Sequence, residues 1–291
     1  MDPQSKHNPA TLSWKQMDWE QKVYGGGGRY TQVNSIRSGI LASLLTAGFY
    51  GALMPFARAS SFTAMFTEQG YVPYAIVFFT AWSLVILFVK SRKLRLQRMA
   101  LADEYRVIPR DHKFVLAVGN VQTVMDRINE TVDDPRSFVL VNRIHVALSN
   151  LRNLGRIGDV DDKLRSQADH DESSMETSYG LIGNFVWAIP VLGFIGTVLG
   201  LSTAIGNFGS VLETAGEMDQ IKEALKDVTG GLGTAFVTTL QALVAALVIQ
   251  LLLAFLKKSE EEFLDECTEY CVRNVVNRLR IMVYEQETET V

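Results

Sequence analysis

Five of the polar side chains in two long uncharged runs of this sequence have a spacing that limits what they can do. Thr197 lies in one run; Thr234, Thr238, Thr239 and Gln241 lie in the other. At helical period Thr234, Thr238, Gln241 and Ala245 share one face, and Thr239, Ala242 and Ala246 run beside it. Leu, Val and Phe occupy the opposite side. Such a face reads in two ways. It can be a polar wall along an ion path, because hydroxyl oxygens take the place of water around a moving ion. It can also be contact between helices, because a threonine can satisfy its hydroxyl on its own backbone. Gln241 is the costliest residue of the set, roughly a few kcal/mol if its amide is left unpaired in lipid. It is therefore expected to face protein or water.

The run around Thr197 reads Trp187-Ala188-Ile189-Pro190-Val191-Leu192-Gly193-Phe194-Ile195-Gly196-Thr197-Val198-Leu199-Gly200-Leu201. Gly193, Gly196, Gly200 and Ala204 fall three or four apart, a stripe of small residues that lets a second helix come close. Pro190 removes one backbone hydrogen bond and is expected to bend the helix.

Other chemistry lacks its residues. His7, His112, His145 and His170 are scattered without metal-ligand spacing. No glycine-rich phosphate loop with its lysine and no nucleophile elbow occurs. Cys267 and Cys271 lie on one helical face with no histidine nearby to complete a zinc site, and read as packing residues. The expectation is of no enzyme, no metal and no cofactor. A net charge of −4 gives no basic field for nucleic acid.

The elements that carry these residues follow from where charge is missing. Ser38–Ala57, Gln69–Val89, Thr177–Leu212 and Val228–Leu256 contain no Asp, Glu, Lys or Arg. Each is long enough for the ~20 residues that cross a bilayer core. None contains a histidine either, so the chain alone holds no ionisable proton relay in the membrane. Lys and Arg alternate across the spans: five before the first, Arg58 alone in the next loop, fifteen in residues 90–176, two in the acidic loop before the fourth span, five in the tail. The positive segments read as cytoplasmic, which leaves both termini inside.

The fold class expected is an all-α membrane protein, with four transmembrane helices and a helical cytoplasmic domain between the second and third. The boundaries expected are an arm at 1–37, spans at 38–57, 70–89, 182–205 and 232–256, the cytoplasmic domain at 90–180 and a cytoplasmic tail helix at 257–291. Pro109 and Asp133-Asp134-Pro135 break the cytoplasmic domain into separate helices. Gly25–Gly28 reads as a linker following a short helix around Leu12–Tyr24. That helix lies on the membrane surface through Trp14, Met17 and Trp19, or forms a loosely ordered arm.

At "IPVLGFIGTVLGL" (Ile189–Leu201) and "GLGTAFVTTLQALVAA" (Gly231–Ala246) the sequence resembles the MotA/TolQ/ExbB proton-channel family, over about residues 138–256. Four spans with a large segment between the second and third look more like the MotA arrangement than the three-span one. The resemblance implies a pore-forming subunit of an ion-driven motor in the bacterial inner membrane. It implies a homopentamer around a dimer of single-span MotB, TolR or ExbD-type partners, whose membrane aspartate titrates. Thr197 and Thr239 match family threonines that face that aspartate, and Pro190 matches the proline held to couple bending to ion binding. Thr234 and Thr238 extend the implied ion path, and Gly193, Gly196, Gly200 and Gln241 are its packing residues. Thr234 stands where TolQ and ExbB carry glutamate, Val248 lies near the place of a usual proline, and Gln241 fills a position commonly small. The implied ion is the proton, with sodium as the alternative, and a rotor or effector would meet the cytoplasmic domain. The rival to this expectation is a non-conducting membrane scaffold with the same helix packing.

Overall fold

The computed structural model describes residues 12–56, 61–67, 69–109, 114–117, 119–149, 151, 157–214 and 218–280. Arg58, His7 and His112, all weighed above, lie outside the described residues. In chain order the helices are α1 (Trp14–Met17), α2 (Trp19–Tyr24), α3 (Ser35–Leu53), α4 (Ser61–Thr67), α5 (Val72–Met99), α6 (Val121–Thr131), α7 (Val139–Ser149), α8 (Ile157–Thr214) and α9 (Met218–Asn274). Among the described residues β structure is limited to the isolated bridges Leu12–Val132 and Leu116–Leu279. The protein is an all-α membrane protein: four helices are long and apolar enough to cross a bilayer. The described residues fall into two units. One takes in Asn34–Phe88 and Tyr179–Phe255; the other draws on Met1–Val33, Val89–Ser178 and Leu256–Val291.

The first unit is the apolar one. Asn34 caps α3, its side chain accepting from the Ile36 and Arg37 N–H groups. Gly39 gives Trp82 room: a Cβ there would lie 3.0 Å from the indole. The Trp82 indole N–H donates to the Ser38 hydroxyl at 3.0 Å, and its ring packs on Phe185 of α8 at 4.8 Å. Serine and threonine hydroxyls inside this unit donate mostly to helix carbonyls one turn back. Ser43, Thr46, Thr80 and Ser83 all donate this way, as a water-free solvent requires. Leu and Phe side chains of α8 and α9 face outward, with Phe194 65% and Leu247 61% exposed.

The second unit is held by buried charge. Arg143 of α7 donates to Asp171 of α8 at 2.7 Å and to the Thr268 hydroxyl of α9 at 2.8 Å. Lys90 of α5 donates to Glu260 of α9 and to the Ser178 hydroxyl. The Thr31 hydroxyl also donates to Glu260. Burial pushes the Lys90 amine below its ordinary value, and Glu260 opposes the shift. Lys93 donates to Glu20 at 2.5 Å and to the Gly28 and Gln32 carbonyls. Cys267 and Cys271 are buried, and burial pushes both thiols up, which keeps them unreactive packing residues.

The arm docks into this second unit. Trp14 is 2% exposed and meets Phe138 edge to face at 5.3 Å, so it is not free to lie on a membrane. Asp133 caps α1 from 119 residues away, accepting from the Trp14 N–H at 2.8 Å and from the Ser13 hydroxyl at 2.8 Å. Burial raises the Asp133 carboxyl, but the bonds from Trp14, Ser13 and Lys15 outweigh burial and hold it below the ordinary value. Gly25–Gly28 is a tight cap rather than a spacer. Gly25 ends α2 at φ +65°, and a Cβ on Gly28 would lie 2.5 Å from the Gln32 carbonyl oxygen. Sequence alone hides this, because four glycines permit a loose chain as readily as a compact turn.

The Arg143–Asp171 pair has both side chains 1% exposed. Arg143→Met is expected to destabilise the protein by about 3–5 kcal/mol, since it strands a buried carboxylate. Arg143→Met with Asp171→Leu is expected to recover most of that loss. Thermal unfolding of the full chain in detergent, followed by circular dichroism, checks both.

Candidate functional site

The second half of α8 and the first half of α9 pack backbone to backbone in the apolar unit. Glycine on one helix faces alanine on the other. A Cβ on Gly193 would lie 2.5 Å from the Ala242 Cβ and 3.2 Å from the Thr239 Cα. On Gly200 it would lie 3.2 Å from the Ala235 Cβ, and on Gly231 2.8 Å from the Ala204 Cβ. On Gly196 it would meet the Thr238 hydroxyl at 2.8 Å and Val72 of α5 at 3.2 Å. Any side chain larger than hydrogen at these glycines pushes the helices apart.

That approach brings Thr197 and Thr239 together. Their hydroxyls hydrogen-bond to each other. The Thr239 hydroxyl also reaches the Gly193 carbonyl at 2.9 Å, and the Thr197 hydroxyl reaches the Gly193 and Ala235 carbonyls, each at 3.2 Å. Four oxygens therefore cluster between two helices: two hydroxyls and two carbonyls. Each hydroxyl has one proton to place among these acceptors, and the Ala235 carbonyl also accepts from Thr238. Thr197 can donate to Thr239 while Thr239 donates to Gly193, or Thr239 can donate to Thr197 while Thr197 donates to Ala235. The chain of bonds can run in either sense, and the one that ends on Gly193 has the shorter contact. Both threonines are half-buried, so the cluster reaches the surface of the subunit.

The other singled-out residues sit elsewhere. Thr238 is 1% exposed and donates to the Ala235 carbonyl at 2.9 Å, within the packing against Gly196. Gln241 faces protein: its amide donates to the Met65 carbonyl of α4 at 2.9 Å, and its buried side-chain oxygen takes no hydrogen bond among the described residues. The Thr234 side chain lies outside the described residues. Pro190 is half-buried one turn before Gly193, and α8 runs through it as one helix. Its ring leaves the Val186 carbonyl without the usual partner.

Ala235 and Gly231 escaped the sequence reading, which followed hydroxyls rather than volume. The buried line on α9 runs Ala235, Thr238, Ala242, Ala246 and Ile249. The signal was there in Ala235 and Ala242, one heptad apart with Gly231 one turn before. Met65 had no signal, because the Gln241 contact depends on where α4 turns back.

Residues 140–269 match the model of the MotA/TolQ/ExbB proton channel family. The matched stretch runs from α7 through α8 and nearly to the end of α9, and contains the whole threonine–glycine contact. No curated protein and no solved structure matches the chain.

Gly193→Val is expected to lower stability by about 1–3 kcal/mol through overpacking against Ala242 and Thr239. Gly183→Ala, on the same helix with nothing within 4 Å of the new methyl, is expected to be neutral or slightly stabilising. Thermal unfolding of the two variants side by side checks the contrast.

Proposed function

We propose that this chain, whose residues 140–269 belong to the MotA/TolQ/ExbB proton channel family, is the pore-forming subunit of an ion-driven membrane motor. The observation that carries the reading is the Thr197–Thr239 hydroxyl pair with its two backbone carbonyls. It supplies reversible hydrogen bonds at a helix contact inside a charge-free segment. The four charge-free runs offer no carboxylate, lysine, arginine or histidine to titrate, so the proton-accepting group comes from a partner.

The partner chemistry is that of a single-span MotB, TolR or ExbD-type protein with a membrane aspartate. Five copies of this chain surround two such helices, and Thr197 and Thr239 face the aspartate. The exposed apolar faces of α8 and α9 fit a surface shared between lipid and neighbouring helices. The aspartate is neutralised on one side of the membrane and ionised on the other. Each proton that crosses ~100 mV releases about 2.3 kcal/mol, enough to bias a rotary step. Pro190, next to the glycine contact, lets α8 flex as the aspartate changes charge. The membrane is the bacterial inner membrane, with both termini on the lysine- and arginine-rich side. The segment between the second and third spans is then where a rotor or effector docks.

Native mass spectrometry in mild detergent tests this reading, with the chain purified alone and co-expressed with a single-span protein that carries a membrane aspartate. A mass of five copies plus two partners is expected. A monomer or dimer that ignores the partner overturns the motor reading and leaves a non-conducting scaffold.

A further inference from the structure

The arm carries two carboxylates into a buried pocket where both lie within 4 Å of the Lys93 ammonium. Asp18 and Glu20 are each 2% exposed, and Lys93 is 1% exposed. The Lys93 ammonium lies 2.5 Å from Glu20 and 3.7 Å from the Asp18 Oδ2, with the Trp14 ring 5.8 Å away. Among the described residues the Asp18 Oδ2 accepts no hydrogen bond, and the Oδ1 accepts from the Glu20 N–H at a long 3.4 Å. Gly27 closes the pocket: a Cβ there would lie 2.8 Å from Glu20, 3.1 Å from Asp18 and 3.2 Å from Lys93. Lys90, one turn from Lys93 on α5, does not supply a second cation, because it is spent on Glu260. With both carboxylates ionised against Lys93 the pocket holds a surplus negative charge away from water, which burial opposes.

We propose that the Asp18–Glu20–Lys93 cluster is a proton-binding latch, which holds the arm docked while one proton sits on its two carboxylates and releases the arm when that proton is lost. The proton comes from water and returns to water, and no bond other than O–H changes. Glu20 is the carboxylate held by Lys93, so the proton belongs on the Asp18 Oδ2.

The direction of the shift agrees. Burial raises the Asp18 carboxyl above its ordinary 3.8, Lys93 and the Glu20 N–H oppose burial, and the Glu20 carboxylate adds to it. A carboxyl raised in the docked arm stabilises docking fully below its ordinary value and loses that stabilisation as pH rises through the raised value. Asp133 works in the opposite sense. Its carboxyl is held low by capping α1, so its contribution is lost as pH falls. Docking is therefore weakened at both extremes and strongest between them. Release has consequences beyond the arm, because Thr31 donates to Glu260, and its hydroxyl and carbonyl accept from Lys90.

Hydrogen exchange of the full-length chain in detergent tests the latch, with rates corrected for the intrinsic pH dependence of exchange. Protection of residues 12–33 is expected to fall on the alkaline side by up to tenfold per pH unit, the slope of a single proton. Asp18→Asn carries the neutral form permanently and is expected to keep that protection as pH rises. Glu20→Gln removes the same surplus charge and is expected to flatten the alkaline limb too, which keeps the test open if one variant folds poorly. Alkaline loss that is absent in the wild type, or equally steep in both variants, overturns the proposal.

Discussion

Two helix backbones that approach to within the width of a glycine govern the apolar unit. Hydrocarbon offers no hydrophobic reward for bringing α8 and α9 together, so close packing and hydrogen bonds must do it. Gly193, Gly196, Gly200 and Gly231 allow the approach, and Ala204, Ala235 and Ala242 fill it. The threonine pair exists because of that distance. Were the helices a methyl group further apart, Thr197 and Thr239 would each turn back to their own backbones and the four-oxygen cluster would dissolve. Packing and chemistry thus rest on the same residues.

The two units solve opposite problems. In the apolar one, most serine and threonine hydroxyls are met by carbonyls one turn away or by a neighbouring helix. In the other, Lys90, Lys93 and Arg143 are fully buried and each is matched to a carboxylate from a distant part of the chain. Ion pairs of this kind add little net stability compared with apolar packing, but they punish misplacement heavily. They fix which segments meet: Glu20 from the arm, Asp171 from α8 and Glu260 from α9. The docked arm is the product of that specificity.

Much of the membrane architecture was legible because charge is excluded over long runs, and the glycine stripe was legible because its period is helical. The Thr197–Thr239 contact could be expected only through the family motif. Spacing within one helix says nothing about which face of another helix it meets. Gln241 was expected to face protein or water, by the cost of an unpaired amide, and Met65 as the partner of its amide was not readable. The arm was least legible of all. Four consecutive glycines and a few aromatics fit a loose tether; the docking of Trp14 on Phe138 and the capping by Asp133 depend on residues more than a hundred positions away. Lys93 shows the same limit. In sequence it is one member of a basic cluster of the kind that anchors a membrane helix, and in the fold it is the centre of an oxygen cage.

The central claim is that the hydroxyl oxygens of Thr197 and Thr239 serve ion movement and not merely helix contact. Potential-driven proton uptake into vesicles carrying the chain co-expressed with a single-span protein that has a membrane aspartate tests it most directly. Thr197→Ser keeps the oxygen and is expected to retain most of the flux. Thr197→Val keeps the shape and is expected to lose at least tenfold, with the mass of the complex unchanged. Equal flux through the serine and valine variants would contradict the account and leave the threonine pair as packing alone.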